Sequence, residues 1–305
     1  MAKPVTITDV KTILTAPNDI RLVVVKVYTS EPGLCGVGCA TFTQRALAVA
    51  TAIDKYLRPF VMGRDVDRIE DIFQACNLSG YWRSGPVLNN ALSGVDQALW
   101  DIKAKRAGMP LYQLFGGKCR EAVPVYVHAS GESFAQVEEA ARAYMEQGFR
   151  YVRCQAAVPG FSTYGNRSMN SFAALNLSQT RTWEPTPYVT MVPDLFAHLR
   201  GALGAGVELL HDVHERIPAI QGVWLAKALE EYRLFFLEDL FAPEDVDYFR
   251  MVRQQTATPL AMGELFVNQA EYVPLIRERL IDFVRVHISD IGGLTPARKL
   301  AAFCE

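Results

Sequence analysis

The chain has 305 residues, of which 50% are hydrophobic and 21% charged, and its 31 lysines and arginines nearly balance 33 aspartates and glutamates, for a net charge of −2. This is the composition of a globular protein, and it excludes a disordered, collagenous or coiled-coil chain. Because there is no excess of basic residues, neither a nucleic acid nor an anionic membrane is expected as a partner. No apolar run reaches the roughly 18 residues that span a bilayer.

The N-terminal sequence and the cysteines point to a cytoplasmic protein. The first twenty residues lack the continuous apolar region of a signal peptide. The six cysteines are scattered, with no CxxC pair, which favours reduced thiols over a disulfide framework or a zinc site. We therefore expect a soluble protein of the cytoplasm.

Residues 1–120 are predicted to form a small α+β domain. Segments 5–14 and 21–29 are rich in β-branched residues and are predicted to be strands, joined by a turn at 17–19. Helices are predicted over 45–57 and 86–106. The second has a helical apolar stripe and ends at Gly108 and Pro110.

Residues 121–305 are predicted to form a (β/α) barrel domain, because short apolar runs alternate there with amphipathic helical stretches. The predicted strands are 123–128, 149–154, 207–214, 234–239, 259–264 and 283–288, and the predicted helices are 134–147, 217–232, 246–255 and 269–278. Six units at a spacing of roughly 25 residues favour a TIM-type barrel over a doubly wound sheet. Residues 156–190 are rich in Gly, Ser, Asn, Thr and Pro, and we predict a long loop over the barrel mouth.

The predicted barrel is incomplete in this sequence. A TIM barrel has eight units, and only one helical stretch, 292–305, follows the sixth predicted strand. We therefore expect the last strands to be absent, either because the chain is a piece of a longer protein or because the product is truncated. An open sheet edge would leave backbone groups unpaired.

Three carboxylates end consecutive predicted strands: Asp212, Glu238 and Glu264, each 26 residues after the one before. This spacing predicts that all three lie at one height around the barrel mouth, where such enzymes hold their active sites. Clustered carboxylates raise one another's pKa, and a divalent cation relieves the repulsion. Oxygen ligands without Cys or His favour Mg²⁺. The alternative is that each acid caps a helix or pairs with an arginine.

Five stretches carry a family resemblance: GYWRSGPV (80–87), VDQALWDIKAKRAGMPLYQLFGG (95–117), LLHDVHER (209–216), FFLEDLFAPE (235–244) and TPLAMGELF (258–266). In them the chain resembles the enolase superfamily, in its mandelate racemase-like branch, and is most similar to mannonate dehydratases and starvation-sensing proteins. The resemblance implies a barrel with an N-terminal α+β capping domain. It also implies that Asp212, Glu238 and Glu264 bind Mg²⁺.

The resemblance further implies the groups that move protons. His214 stands two residues after Asp212, as in the family's Asp-x-His motif, where the histidine acts as acid or base. A two-residue step along a strand places both side chains on one face. Arg153 and Tyr164 match the arginine and tyrosine of the family's RxQ…PG…YG segment. There the tyrosine is the base, and an arginine nearby favours its phenolate form.

Other matched positions imply substrate contacts at Thr43, Gln44, His128 and Arg285. For His128 and Arg285, barrel packing or an ion pair is an equally good explanation. Cys39 and Thr43 stand where dehydratases of the family typically have an aspartate and an asparagine, and Gln44 could replace the asparagine as a donor. The strand-two Lys-x-Lys of the branch's racemases is absent, since Arg153 and Gln155 stand there.

The function implied is the Mg²⁺-dependent dehydration of an aldonic acid, such as mannonate or gluconate, to a 2-keto-3-deoxy acid through an enediolate. The changes at Cys39 and Thr43 predict a low rate. Two alternatives stay open: a racemase or epimerase of a 2-hydroxy acid, and a catalytically silent protein that senses sugar acids. A homo-oligomer is expected, because barrel folds of this kind commonly associate.

Overall fold

The computed structural model describes residues 4–158 and 184–305. They fall into two compact units. The first contains the residues up to Glu121 together with Glu264–Gln269 and Val286–Glu305, and the second contains Ala122–Gly263 and Ala270–Arg285. No sequence pattern indicated that two late segments would pack with the N-terminal unit. The domain boundaries that we predicted, 1–120 and 121–305, remain a prediction.

The first unit begins with a three-stranded antiparallel sheet in the order β1-β2-β3. Its strands are β1 (Ile7–Thr15), β2 (Leu22–Thr29) and β3 (Cys35–Cys39), followed by α1 (Ala46–Ala52), a π-helical turn (Ile53–Leu57), α2 (Arg58–Val61), α3 (Ile69–Leu78), α4 (Pro86–Ala107) and α5 (Leu111–Leu114). The predicted strands at 5–14 and 21–29 and the helix at 86–106 are confirmed. Strand β3 and helix α3 were not predicted.

Strand β3 escaped prediction because two of its five residues are glycines, which disfavour strands. The structure shows why they are needed. A Cβ on Gly36 would lie 2.0 Å from the carbonyl oxygen of Ala98, and a Cβ on Gly38 would lie 2.1 Å from that of Gly94. The backbones of β3 and α4 are therefore in direct contact, as is typical where glycine occurs inside a strand.

The second unit is built on a six-stranded parallel sheet in the order β4-β5-β6-β7-β8-β9. Its elements are β4 (Tyr126–Gly131), α6 (Phe134–Glu146), β5 (Tyr151–Ala156), α7 (Pro185–Leu203), β6 (Glu208–Asp212), α8 (Ala219–Leu229), β7 (Phe236–Glu238), α9 (Val246–Arg253), β8 (Leu260–Met262), α10 (Gln269–Arg277) and β9 (Phe283–Val284); α11 (Leu294–Cys304) follows in the first unit. Strand–helix alternation around a parallel sheet confirms the predicted barrel-type fold with an N-terminal α+β unit.

One part of the predicted mouth loop is wrong. Residues 185–190 are the beginning of α7, not loop. Pro185 and Pro187 suggested a loop, but proline is tolerated in the first turn of a helix, where the backbone N–H groups have no helical partner. Ala156, at the start of the predicted loop, is the last residue of β5, and residues 159–183 lie outside the described residues.

No helix in the described part of the chain combines the length and the apolarity needed to cross a membrane.

Candidate active site in the parallel sheet

One face of the parallel sheet has an apolar layer with a polar layer directly above it. The apolar side chains form one cluster in the second unit, which includes Tyr126, Tyr151, Leu210, Phe236 and Phe283. Two residues after each of these five stands a polar side chain, and the polar residues are His128, Arg153, Asp212, Glu238 and Arg285. Since alternate residues of a strand share a face, the sheet collects the polar groups toward the carboxyl ends of its strands, the edge where such barrels hold their active sites.

Asp212 and Glu238 lie side by side because β6 and β7 pair with these two residues in register. Both carboxylates are buried, with 1% and 0% of their surface exposed. On β8, the residue paired with Glu238 is Ala261, three residues before Glu264. Glu264 follows the end of β8, is half-buried and belongs to the first unit. Its role as the third metal ligand remains a prediction.

Asp239, which was not predicted as a site residue, joins the two carboxylates. One carboxylate oxygen each of Asp212, Glu238 and Asp239 lies within 4.8 Å of the others, and all three residues are buried. Asp239 directly follows β7 and has a φ of +47°, so the chain turns there and Asp239 does not take the opposite face of the sheet. Backbone strain of this kind clusters at functional sites. The adjacent Glu238-Asp239 pair was the signal that could have indicated it.

Two arginines contact the carboxylates. The Arg153 guanidinium donates a hydrogen bond to the Asp212 carboxylate, and its Nη1 atom lies 3.6 Å from Oε2 of Glu238. On the other side of the cluster, Nη1 of Arg285 lies 2.8 Å from Oε1 of Glu238. The predicted alternative, that the acids pair with arginines, is therefore also present. Two guanidinium charges do not balance three carboxylates, so the cluster still favours a cation.

His214 contacts Asp212, but the strand geometry that we expected does not produce this contact. Its Nε2 atom lies 2.7 Å from Oδ2 of Asp212, and its backbone N–H donates to Oδ1 over 3.0 Å. Strand β6 ends at Asp212, and His214 has a φ of +56°. A turn of the chain, not the alternation along a strand, brings the imidazole back to the carboxylate. Among the described residues, the buried Nδ1 atom of His214 has no hydrogen-bond partner.

These neighbours set the ionisation of Asp212. Burial raises its pKa, but the hydrogen bond from His214 and the charges of His214 and Arg153 outweigh burial, so that the pKa is lowered overall. Asp212 is thus ionised at neutral pH and can serve as a ligand or as the partner of a protonated imidazole.

His128 is the member of the polar layer on β4, and it lies against Tyr126 of the apolar layer. The two rings stack with centroids 5.4 Å apart, and Nε of Arg285 donates to the Tyr126 hydroxyl over 2.5 Å. Partial desolvation and the charges of Arg153 and Arg285 lower the pKa of His128 to about 4. Its imidazole is neutral at pH 7 and can both donate and accept a hydrogen bond.

Gln155 and His211 form hydrogen bonds that hold β6 in place and were not among the predicted site residues. The Gln155 amide donates to the Asp212 carbonyl over 3.0 Å. The His211 ring lies between the Cys154 carbonyl, at 2.9 Å, and the Tyr188 hydroxyl, at 2.7 Å. Burial lowers the pKa of His211 to about 4. The neutral imidazole, with a hydrogen bond at each ring nitrogen, fixes β6 next to Asp212.

The remaining predicted site residues are not tested by this arrangement. Thr43 and Gln44 form a single turn of 3₁₀ helix in the first unit, where Thr43 is half-buried and Gln44 is exposed. Tyr164 lies outside the described residues. The roles of these three residues remain predictions.

The donor set of the cluster fits Mg²⁺. The three gathered ligand groups are carboxylates, the hard oxygen donors that Mg²⁺ prefers, and no Cys or His belongs to the set. Burial of three carboxylates within 4.8 Å is costly without compensating positive charge. An ion there would share that compensation with Arg153 and Arg285.

An N-terminal α+β unit, a barrel-type parallel sheet and carboxylates at its strand ends define the class of protein. Residues 1–116 match the family described as the mandelate racemase / muconate lactonizing enzyme N-terminal domain, and residues 135–305 match the enolase C-terminal domain-like family. The chain belongs to the enolase superfamily, in its mandelate racemase and muconate lactonizing enzyme branch. This confirms the superfamily and the branch that the sequence motifs indicated.

Within the superfamily, the chain is similar to proteins named D-galactonate dehydratase family members. It is 55% identical over 311 residues to RspA of Pantoea ananatis, covering 98% of this chain and 75% of that protein, and 50% identical to a member from Enterocloster bolteae, covering 99% and 74%. A crystal structure of an enolase from Pantoea ananatis with bound D-gluconate and Mg is 54% identical, with a TM-score of 0.91, and covers 98% of this chain and 75% of that one.

Proposed function

We propose that the protein is an acid-sugar dehydratase that removes water from an aldonic acid of the gluconate or mannonate type and forms a 2-keto-3-deoxy acid. The observation that carries the proposal is the buried carboxylate cluster with His214 against Asp212. The similar protein from Pantoea ananatis was crystallised with D-gluconate and Mg, and the similar proteins are named as D-galactonate dehydratase family members. The more specific part of the proposal is that, within the superfamily, the protein resembles the mannonate dehydratases and starvation-sensing proteins.

Asp212 and Glu238 would hold the Mg²⁺ ion, with Glu264 or Asp239 as a third ligand. When bound, Mg²⁺ orients the substrate carboxylate and stabilises the negative charge of an enediolate. The arginines have a separate task. Arg285 is 33% exposed and Arg153 only 3%, so Arg285 is the guanidinium that can contact a bound acid, while Arg153 balances the buried ligands.

His214 is suited to give a proton to the departing 3-hydroxyl group. Asp212 contacts the Nε2 atom and holds the imidazole in a fixed orientation. The Nδ1 atom, which has no hydrogen-bond partner among the described residues, is then left to donate to the substrate. A histidine with one nitrogen held by a carboxylate and the other directed at the substrate is a common form of general acid.

Tyr164 is proposed as the base that removes the C2 proton, on the basis of the family motif that it matches. Arg153, at the other end of that motif, lies in the polar layer of the sheet. Thr43 and Gln44 are proposed substrate contacts. We expect slow turnover, because Cys39 and Thr43 replace the aspartate and asparagine of dehydratases in the family.

We also propose a homo-oligomer, which light scattering after size-exclusion chromatography would test.

The experiment is a turnover screen with Mg²⁺ against all hexonic and pentonic acids, with semicarbazide to detect the 2-keto-3-deoxy acid. Tyr164→Phe should stop the exchange of the C2 proton with solvent deuterium while Mg²⁺ binding is retained. Exchange at C2 without a keto acid would replace the proposal by a racemase or epimerase. Thermal stabilisation by an acid sugar with neither exchange nor product would indicate a silent sugar-acid-binding protein.

A further inference from the structure

Helix α4 carries a stripe of buried polar side chains. Asn89, Ser93 and Asp96 are 5%, 0% and 1% exposed, and they follow one another at helical spacing on one face. Buried polar groups are stable only when hydrogen-bonded, and each of these three is bonded to another segment of the first unit. Ser93 donates to the Cys39 carbonyl over 3.0 Å, and Asp96 accepts from the backbone N–H of Thr295 over 2.9 Å.

Asn89 differs from the other two because its amide joins two segments. Its Nδ2 atom donates to the Val267 carbonyl over 2.7 Å and to the Asp290 carbonyl over 2.8 Å. Both amide hydrogens are therefore used, each on a backbone oxygen. Val267 belongs to the segment that follows β8, and Asp290 to the segment that follows β9, and both segments pack in the first unit together with α4.

We propose that Asn89 is a positioning residue for the site, which acts by fixing the segment that carries Glu264. Val267 is three residues after Glu264, and Asp290 is five residues after Arg285, which contacts Glu238. One buried amide thus holds the two segments that leave the ends of neighbouring strands at a fixed spacing. This inference rests on the proposed function, because it assigns a purpose to the position of Glu264.

Asparagine is the side chain that meets this requirement. The two carbonyl oxygens need two hydrogen-bond donors from one short side chain. An aspartate in place of Asn89 would place carboxylate oxygens against these carbonyl oxygens. Leucine has nearly the same size but no donor, so it would leave both carbonyls buried and unpaired.

Asn90 provides a matched control on the same helix. It is 1% exposed, and its amide donates to the Pro86 carbonyl over 2.7 Å and to Oδ1 of Asp290 over 3.0 Å. Asn90 therefore holds the segment after β9, and neither of these two hydrogen bonds reaches Val267. Asn89→Leu and Asn90→Leu remove the same chemical groups at similar burial.

The test compares Asn89→Leu, Asn89→Asp and Asn90→Leu with the wild-type chain. Hydrogen–deuterium exchange of residues 264–269 is followed without metal, Mg²⁺ affinity is measured by calorimetry without substrate, and the unfolding temperature is recorded. We expect faster exchange in 264–269 and about tenfold weaker Mg²⁺ binding in both Asn89 variants, the size typical of losing a group that orients a ligand. For Asn90→Leu we expect a similar fall in unfolding temperature and Mg²⁺ affinity within about twofold of wild type.

Equal losses of Mg²⁺ affinity in Asn89→Leu and Asn90→Leu would overturn the inference, because they would show only general destabilisation. Unchanged affinity and exchange in the Asn89 variants would overturn it as well. A wild-type chain that does not bind Mg²⁺ would contradict the proposed function, and the exchange of 264–269 would then by itself decide whether Asn89 fixes that segment. If Asn89→Leu or Asn89→Asp is too unstable to purify, the comparison uses the other of these two variants.

Discussion

Arg153 and Asp212 form an ion pair across neighbouring strands, and their side chains are only 3% and 0% exposed. The same guanidinium also lies near Glu238. Arg153 therefore stabilises the acid cluster in the absence of an ion, and a bound Mg²⁺ would take over part of that task.

We predict that Arg153→Met lowers the free energy of unfolding by roughly 3 kcal/mol in the presence of a chelator, because removing one partner of a buried pair leaves an unbalanced charge. The variant should gain more stability from added Mg²⁺ than the wild type does. Urea unfolding with and without Mg²⁺ measures both effects. The control is Arg153→Met combined with Asp212→Asn, which should lose less than the sum of the single variants. Equal stability of Arg153→Met and wild type in chelator would contradict this.

The identity of the third carboxylate ligand can be decided with a pair of isosteric variants. We predict that Glu264→Gln abolishes Mg²⁺ binding and turnover. We predict that Asp239→Asn, which alters a carboxylate close to Asp212 and Glu238, weakens binding by about 10–100-fold, as for a group that orients ligands. Calorimetric titration with Mg²⁺ separates the two. The reverse order, with normal binding in Glu264→Gln and none in Asp239→Asn, would assign the third ligand to Asp239.

Asp96 predicts a pH dependence of stability. Burial raises its pKa from 3.8 to about 6, against the hydrogen bonds from Thr295 and Leu294 that favour the carboxylate. Because the folded state holds this proton more tightly than the unfolded state, the stabilisation is complete below pH 3.8 and is lost as the pH rises through 6. Two pKa units correspond to about 3 kcal/mol.

The measurement is the difference in free energy of unfolding between the wild type and Asp96→Asn from pH 4 to pH 7. An asparagine has no carboxyl proton to lose, so the wild type should become less stable relative to the variant as the pH rises, with no further change above about pH 7. A constant difference across this range would contradict the raised pKa.

The close contact of β3 and α4 predicts that Gly38→Ala is destabilising. A Cβ there would lie 2.1 Å from the Gly94 carbonyl oxygen, and such overpacking typically costs about 1–3 kcal/mol. The control is Gly201→Ala in α7, where no atom lies within 4 Å of a new Cβ and the change should stabilise the helix by about 0.5–1 kcal/mol. Thermal unfolding measures both. Opposite signs are expected, and a neutral Gly38→Ala would contradict the contact.

Much of the fold could be predicted from hydrophobic patterning. Burial on a strand or on a helix face imposes a period in the sequence, and this period located β1, β2, the six parallel strands and the long helix α4. Hydrophobic patterning was misleading for elements whose residues are not set by periodic burial. Strand β3 consists of small residues because α4 lies against its backbone, and α7 begins with prolines that suggested a loop.

For the site, the sequence by itself determined that Asp212 and Glu238 end neighbouring strands and that a histidine follows Asp212 at two residues. These relations follow from spacing along the sequence, because parallel strands that recur at a similar spacing bring their carboxyl ends to one edge of the sheet. Only the tertiary structure decided that Ala261, not Glu264, pairs with Glu238 and that Asp239 joins the acids. It also decided that Arg153 pairs with Asp212 and Arg285 with Glu238. Strand register and backbone turns with positive φ set these positions, and both depend on contacts between residues far apart in the chain.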